Sequence, residues 1–328
     1  MRANKKNKRR KSMYREKIKV LDCTIRDGGL INDHYFEDDF VREVFKAISA
    51  SGVDYMEIGY KASKNILSPD QFGKWKFCAE DDIKKAIEGI EKNTKLSVMV
   101  DIGRVEKHEV VPCKDSVIDM MRVACYVKDV DKAIDMVNDF AGKGYETTIN
   151  IMAISRAHDT ELDEALEQIE KETKVKAVYI VDSFGSLYSE SATYLVEKFK
   201  KHLKTKEVGM HAHNNQQLGY ANSIQGIIDG CNYVDATVYG IGRAAGNCPL
   251  ELLIGFLKNP KFDIRPILEV IQKEFIPLRE KMEWGYIIPY AITGMFNEHP
   301  RAAMELRKSN DKDKYLEFFE SLSATEID

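Results

Sequence analysis

The chain of 328 residues lacks the cysteine spacing of a disulfide framework or of a Cys-x-x-Cys site. Two of its six cysteines, Cys23 and Cys125, fall within predicted buried strands. Scattered cysteines of this kind are typical of proteins in a reducing compartment. The six are Cys23, Cys78, Cys113, Cys125, Cys231 and Cys248.

Long hydrophobic runs are absent as well. The N-terminus has no apolar segment of the signal-peptide kind, and no apolar run approaches the length that spans a membrane. Hydrophobic residues nevertheless make up 44% of the chain, which is enough for a large buried core. We therefore expect a cytoplasmic protein that does not enter the membrane.

Acidic residues are scarce at the N-terminus. Residues 1–19 hold ten Lys/Arg against one Glu, so this segment carries +9 and the remainder −13, for a net charge of −4. We interpret residues 1–17 as a disordered basic tail. A basic arm can touch nucleic acid, but Tyr14 is its only aromatic residue, so nucleic-acid binding is not favoured.

From residue 18 onward, short apolar runs alternate with longer amphipathic ones. Continuously apolar strands are typical of a parallel sheet that is buried on both faces. Eight strand–helix units in 18–257 predict an α/β fold of the TIM (β/α)8 barrel type. The predicted strands are 18–24, 55–59, 95–101, 121–127, 147–151, 177–181, 208–210 and 233–237.

The alternative fold is a doubly wound open sheet. Its first turn usually reads G-x-G-x-x-G, whereas residues 26–29 here read R-D-G-G. Residues 258–328 break the alternating rhythm, with a predicted helix at 262–275 and loops at 283–286 and 296–300. We expect this region to be a helical C-terminal extension that packs over a barrel face or forms part of a subunit contact.

A paired-histidine motif ends the seventh predicted strand. Residues i and i+2 of an extended segment point the same way, so His211 and His213 would face one site. Converging imidazoles are typical of a metal site, although two polar residues at a strand end are the simpler interpretation. Active sites of such barrels lie at the carboxyl ends of the strands. Asp27, Ser183 and the glycine-rich loop 240–247 follow the first, sixth and eighth strands, on that same rim.

Asp27, His211 and His213 together offer one oxygen and two nitrogen ligands and leave positions open for substrate. Mn²⁺ or Mg²⁺ is the first expectation for such a set, with Zn²⁺ or Co²⁺ as alternatives. A metal ion there would polarise the keto oxygen of a 2-oxo acid. Arg26 would hold the developing enolate or the carboxylate. This combination favours aldol or Claisen chemistry.

Each of these signals also has a purely structural interpretation. Asp27 can cap the turn after the first strand, and Arg26 can pair with Glu57. Asn247 can be the N-cap of a helix that begins near Pro249. The glycines of the loop can supply unusual backbone angles, or they can cradle a phosphate, as on a CoA-linked substrate.

Three motifs carry a family resemblance: L-D-C-T-I-R-D-G-G at 21–29, G-M-H-A-H-N-N-Q-Q-L-G at 209–219 and G-I-G-R-A-A-G-N-C-P-L-E at 240–251. Together they resemble the DRE-TIM metallolyases, over about 18–257. That superfamily contains 3-hydroxy-3-methylglutaryl-CoA lyase, the 2-isopropylmalate and homocitrate synthases, and 4-hydroxy-2-oxovalerate aldolase, which is the most similar of them.

The resemblance implies a divalent metal on Asp27, His211 and His213, with Arg26 stabilising the enolate of pyruvate. It places Ser183 near the pyruvate carboxylate. We expect a 2-oxo acid as substrate, bound by Arg26, Ser183 and Asn247. A homodimer is expected as well, and an aldehyde dehydrogenase is a further partner that the aldolase resemblance suggests.

The chain also departs from the family pattern. The aldolase pattern has a catalytic histidine three residues after the metal-binding aspartate, and this chain has Leu30 there. His34 and Tyr290 are our candidates for that role, and Asp33 and His299 are further options. The lyase pattern has a cysteine in the glycine-rich loop, where this chain reads Arg243-Ala244-Ala245. That loop is more similar to the loop of the isopropylmalate synthases, which carry a longer C-terminal domain.

Three functions follow, and the first is our expectation. It is a metal-dependent aldolase or lyase that acts through a pyruvate-type enolate. The second is an acyl-CoA-dependent Claisen synthase, suggested by the glycine-rich loop and Asn247. The third is a non-catalytic barrel that serves as a binding module, suggested by Leu30.

Overall fold

A computed structural model describes residues 15–325 of the chain. Eight parallel strands follow one another around a closed barrel, and the first strand pairs with the eighth as well as with the second. The predicted TIM barrel is therefore confirmed. The strands are β1 (Lys19–Asp22), β2 (Tyr55–Tyr60), β3 (Lys95–Asp101), β4 (Met120–Cys125), β5 (Glu146–Ile151), β6 (Ala177–Asp182), β7 (Glu207–Ala212) and β8 (Tyr233–Ala236).

Side chains alternate between the two faces of each strand, as the strand period of two requires. In β4, Met121 and Val123 belong to the large core between the sheet and the helices. Met120 instead belongs to the smaller cluster inside the barrel. Arg122 has the parity of Met120 and is fully buried, so the barrel interior contains charge. The expectation of continuously apolar strands is wrong for this inner face.

Helices cover the outside of the barrel. In the fourth of them, Val130, Ala133, Ile134 and Val137 are buried, which is the i, i+3, i+4, i+7 spacing of a helix with one apolar face. The helices up to the end of the barrel are α1 (Thr24–Gly28), α2 (Asp38–Ser51), α3 (Glu80–Ile87), α4 (Val130–Gly142), α5 (Asp159–Glu172), α6 (Ser189–His202), α7 (Gly219–Asp229) and α8 (Leu250–Leu257).

The β3–β4 connection differs from the other strand connections. Instead of an α-helix it contains two 3₁₀ turns, Lys107–Glu109 and Cys113–Asp115. Pro112 lies between them, and its missing N–H and fixed φ oppose a continuous helix. The sequence likewise shows no amphipathic helical run between the third and fourth predicted strands.

The first strand also ends earlier than predicted. It stops at Asp22, and the helical turn α1 begins at Thr24. Arg26 and Asp27 consequently lie on a buried helical turn above the strand rather than in an open loop.

The C-terminal segment is helical and packs on the barrel rim. Ala244 and Ala245 of the glycine-rich loop form one apolar cluster with Ile292, Ala303 and Phe318 of this segment. The helix predicted at 262–275 lies three to four residues further along the chain, at 265–279, and includes a π turn at Ile271–Phe275. The helices are α9 (Arg265–Val270), α10 (Ile276–Arg279), α11 (Ile288–Met295), α12 (Arg301–Lys308) and α13 (Tyr315–Thr325).

Two expectations concern the chain as a whole: its domain limits and the absence of a membrane-spanning segment. Most of the predicted basic tail lies outside the described residues, and the domain limits 1–17, 18–257 and 258–328 remain a prediction. Within residues 15–325, no helix has both the length and the apolar character needed to cross a bilayer.

Gly209 in β7 tests the packing of the barrel interior. A Cβ at this position would lie 2.6 Å from the ring of Tyr179, and that ring stacks on the buried Arg122 guanidinium. We expect Gly209→Ala to lower the free energy of unfolding by about 1–3 kcal/mol, the usual cost of overpacking a core.

Urea denaturation followed by circular dichroism measures this change. The matched control is Gly255→Ala in α8, where an added Cβ meets nothing within 4 Å. That variant should gain about 0.5–1 kcal/mol through helix propensity. Equal unfolding midpoints for the two variants would contradict the described packing.

Candidate metal centre at the barrel mouth

Asp27, His211 and His213 meet at the carboxyl end of the barrel. Asp27 Oδ2 lies 3.3 Å from His211 Nε2 and 3.7 Å from His213 Nε2. The three potential ligand atoms all lie within 4.8 Å of one another, and all three residues are buried. The structure thus brings the three predicted residues together. Asp27 comes from α1, His211 from β7, and His213 directly follows β7.

Hydrogen bonds orient both imidazoles. His211 Nδ1 lies 2.8 Å from Asp235 Oδ2, and His213 Nδ1 lies 2.9 Å from the carbonyl oxygen of Asp182. Both partners are acceptors, so each Nδ1 carries the proton and each Nε2 presents a lone pair to Asp27.

The two Nε2 atoms are shielded from solvent and have no hydrogen-bond partner. Buried polar atoms are rarely left without a partner unless a ligand or ion completes the site. Ligand atoms at about 2.0–2.2 Å from one ion lie roughly 3–3.5 Å apart. The observed separations of 3.3 and 3.7 Å are close to this range, so the residues fit a divalent cation.

A closed circuit of buried charges surrounds this cluster. Arg26 Nε contacts Glu57 Oε2 at 2.6 Å, and Arg26 Nη1 contacts Asp27 Oδ2 at 2.8 Å. Arg122 Nη1 contacts Glu57 Oε1 at 3.1 Å, and Arg122 Nη2 contacts Asp235 Oδ2 at 2.6 Å. The circuit therefore runs Arg26, Glu57, Arg122, Asp235, His211, Asp27 and back to Arg26.

The circuit lowers the pKa values of two of its carboxyl groups, Asp27 and Asp235. Burial alone would raise the pKa of Asp27, but the Arg26 charge holds that pKa well below its usual range. Burial likewise opposes ionisation of Asp235, and the Arg122 charge outweighs it, so the pKa of Asp235 is also lowered. The three carboxylates and two guanidiniums of the circuit leave it one negative charge, which suits a cation.

A cavity of about 90 Å³ opens beside the cluster. Ser183 lies on its wall, and its hydroxyl oxygen accepts the backbone N–H of Ala153 at 2.8 Å, which leaves its proton free to donate into the cavity. The lining residues are Arg26, Leu30, Tyr60, Met99, Asp101, Ala124, Asn150, Met152, Val181, Ser183, His211, His213 and Arg243.

Asn247 lies beside the cluster but is not a helix cap. Helix α8 begins after Pro249 and has no side-chain cap. Asn247 Nδ2 donates to the carbonyl of Ile241 at 3.1 Å, and its buried Oδ1 has no hydrogen-bond partner. A Cβ at Gly242 would clash with Asn247 Nδ2 and lie 3.2 Å from Asp27 Oδ1, so this glycine allows the loop to approach the cluster closely.

The structure does not bring the two predicted candidates for the base to the cavity. The Tyr290 hydroxyl donates to Glu283 at 3.1 Å, and the ring packs in the apolar cluster of the C-terminal helices. The His34 ring packs edge-on against Tyr60, behind the cavity wall. Burial, followed by the Lys76 and Arg26 charges, lowers the pKa of His34 to about 3, which makes it a weak base.

Sequence reasoning missed several residues of the site. Arg122 and Asp235 had a visible signal, since each is a lone charge within a predicted apolar strand. Asp101, at the end of β3, and Arg243, which appeared only as a departure in the glycine-rich loop, both line the cavity. The interpretation of Arg26 as a partner of Glu57 is correct, and Arg26 lies on the cavity wall as well.

Comparisons with known proteins bear on the whole barrel. The HMGL-like family model matches residues 17–272. Oxaloacetate decarboxylase of Mycobacterium tuberculosis is 26% identical, over 89% of this chain and 88% of its own length. 4-Hydroxy-2-oxovalerate aldolase of Carboxydothermus hydrogenoformans is 27% identical, over 92% and 91%.

A solved structure, the N-terminal domain of a candidate aldolase from Bacteroides vulgatus, superposes with a TM-score of 0.76 at 29% identity. It covers 90% of this chain and 98% of that domain. Hydroxymethylglutaryl-CoA lyase from Pseudomonas aeruginosa shares the fold, with a TM-score of 0.64 at 15% identity over 81% of this chain and 94% of its own. The resemblance to the DRE-TIM metallolyases is therefore confirmed.

Asp22 lies fully buried below the charge circuit and tests its electrostatics. Burial raises the pKa of Asp22 to about 7; the Thr24 hydroxyl and N–H oppose this shift, and Glu57 and Asp235 reinforce it. A raised pKa contributes stability that is complete below the unfolded value near 3.9 and is lost as the pH rises through about 7.

We therefore expect Asp22→Asn to become more stable relative to the parent protein between pH 5 and pH 8. The change should be on the order of 2–3 kcal/mol, measured by urea denaturation at both pH values. Asp81→Asn, which alters a fully exposed side chain of α3, is the matched control. A stability difference that stays flat with pH for Asp22→Asn would contradict this assignment.

Proposed function

Because this chain belongs to the HMGL-like family, we propose that it is a divalent-metal-dependent carbon–carbon lyase that acts through the enolate of pyruvate. The observation that carries the proposal is the pair of buried, unpartnered Nε2 atoms facing Asp27 beside Arg26. The two relatives are named for 4-hydroxy-2-oxovalerate and for oxaloacetate. Cleavage of the C3–C4 bond in either compound leaves the same three-carbon enolate.

Asp27, His211 and His213 would hold the ion. A divalent cation bound there supplies Lewis-acid polarisation of the keto oxygen. One oxygen and two nitrogen ligands, inside a circuit with one net negative charge, support Mn²⁺ or Mg²⁺ as the first choice, with Zn²⁺ and Co²⁺ as alternatives. The homodimer and the dehydrogenase partner remain predictions.

Arg26 and Ser183 would place the 2-oxo acid. Arg26 uses Nε and Nη1 on Glu57 and Asp27, and among the described residues nothing accepts from its Nη2. These remaining N–H groups can stabilise negative charge that develops on the enolate oxygen, because two carboxylates already fix the guanidinium. The Ser183 hydroxyl, oriented by the Ala153 N–H, can donate to the carboxylate.

Asp101 is our candidate for the group that moves the proton. It lies at the end of β3 on the cavity wall, and its nearest described cation is Lys76, at 3.9 Å. Aldol cleavage of a 4-hydroxy-2-oxo acid requires a base that removes the hydroxyl proton. Loss of CO₂ from oxaloacetate requires no base. Leu30 occupies the position where the aldolase pattern has a histidine, so Asp101 is the available carboxylate.

The first test is exchange of the methyl protons of pyruvate, which reports the enolate without a second substrate. We expect exchange into D₂O, followed by mass spectrometry, to need added Mn²⁺ or Mg²⁺. Asp27→Asn should reduce it by more than about 100-fold, because that change removes the anionic ligand. The exposed Asp81→Asn is the matched control. Exchange that persists in Asp27→Asn, or that needs no metal, would contradict the proposal.

A second test separates the two cleavage reactions. Asp101→Asn should slow both aldol cleavage and proton exchange by about 10²–10⁴-fold, the range typical of a lost general base. Metal-dependent decarboxylation of oxaloacetate by the same variant should persist, since that step needs no base. Parallel losses in both reactions would argue that Asp101 supports the structure of the site instead.

A further inference from the structure

Arg243 is a cation on the wall of the metal-site cavity that has no acidic partner. Among residues 15–325, no carboxylate oxygen lies within 4.0 Å of its guanidinium. Its Nε is shielded from solvent and has no hydrogen-bond partner. A partly buried charge without an ionic partner is costly, and an anionic ligand would remove that cost.

The contact between Arg243 and His299 does not satisfy the guanidinium. Arg243 Nη1 lies 3.2 Å from His299 Nε2, and the backbone N–H of Arg301 donates to His299 Nδ1 at 3.1 Å. A neutral imidazole accepts at only one of its nitrogens. Since Nδ1 accepts from Arg301, Nε2 carries the ring proton. Two N–H donors, one from Arg243 and one from His299, then face each other and need a shared acceptor.

His299 also lines a second cavity, of about 450 Å³, directly outside the first. Met152 lines both cavities, and Arg243 contacts His299, so the two adjoin. The charged residues on the outer wall are Lys128, Arg156 and Arg301 against Glu161. Arg156 pairs with Glu298, whereas Lys128 and Arg301 have no carboxylate partner among the described residues. The outer cavity is therefore cationic.

We propose that Arg243 and His299 bind an acidic group on the part of the substrate that lies beyond the scissile bond. The inference rests on the proposed function and narrows its substrate class. The substrate is then a 4-hydroxy-2-oxo acid with a second acidic group, a carboxylate or a phosphate. Its C3–C4 bond breaks, the hydroxyl proton goes to the base, and the bonding electrons form the pyruvate enolate. Protonation of that enolate gives pyruvate, and the other product is an anionic aldehyde.

The alternative ligand for Arg243 is a carboxylate that is itself lost as CO₂. A cation paired with that carboxylate would stabilise the ground state and not the transition state, since the charge moves away to the enolate oxygen during the reaction. The position of Arg243 toward the outer cavity instead suits a group that keeps its charge throughout. We therefore assign the acidic group to the aldehyde product.

The experiment measures kcat/KM for condensation of pyruvate with a panel of aldehydes in the presence of Mn²⁺. Acetaldehyde and propanal are the neutral members, succinic semialdehyde carries a carboxylate, and glyceraldehyde 3-phosphate carries a phosphate. We expect at least one acidic aldehyde to exceed the neutral ones by tenfold or more, and comparison of the two acidic members identifies the acid.

We expect Arg243→Gln to weaken the preference of the enzyme for acidic over neutral aldehydes. A lost charge-assisted hydrogen bond corresponds to about a 10- to 100-fold loss. The ratio of acidic to neutral kcat/KM should therefore fall by that factor, and Arg243→Lys should retain part of it. Arg265→Gln, at the start of α9 and paired with Asp263, is the matched control. Thermal melting of each variant verifies that it is folded.

The two failures are distinguishable. Metal-dependent exchange of pyruvate protons in the parent protein, with no preference for an acidic aldehyde, would overturn this inference alone. An unchanged ratio in a folded Arg243→Gln protein would overturn it as well. Absence of exchange in the parent protein would overturn the proposed function, and the inference with it.

Discussion

The site depends on a closed circuit of ion pairs in the upper part of the barrel. Arg122, fully buried, holds Glu57 on one side and Asp235 on the other. Glu57 fixes Arg26, and Asp235 fixes the tautomer of His211. Removing one member of such a buried network leaves an uncompensated charge, at a cost of about 3–5 kcal/mol. The circuit therefore fixes the relative positions of groups that come from five different elements of the barrel, α1, β2, β4, β7 and β8.

Two regions of opposite charge follow from this arrangement. Inside, the circuit has one net negative charge around two imidazole lone pairs, and this selects a cation. Outside, Arg243 and the cationic wall beyond His299 have too few acidic partners, and this is the basis of the proposed anion site. The reacting bond of a 2-oxo acid would lie between the two. In the proposed function, catalytic power and substrate choice come from separate groups, as is common when chemistry and specificity occupy different strand ends of one barrel.

The sequence predicts the candidate metal-binding set because the physics behind it is local. The i, i+2 geometry of β7 aims His211 and His213 together, and the barrel rule places Asp27 on the same rim. The charge circuit is harder to predict from the sequence. Pairing Arg122 with Asp235 requires knowing which residues of β4 and β8 face the barrel interior. The role of Tyr290 could not be judged from sequence, because the packing of the C-terminal helices on the loop at Ala244 is a tertiary property.

The central claim is that these three side chains form one divalent-cation site, and anomalous scattering tests it most directly. Crystals grown with Mn²⁺ should show an anomalous difference peak about 2.0–2.3 Å from Asp27 Oδ2, His211 Nε2 and His213 Nε2. Crystals of Asp27→Asn, grown in the same way, should lack that peak. Well-ordered crystals of the parent protein with no peak among these atoms, or with the ion bound elsewhere, would contradict the account.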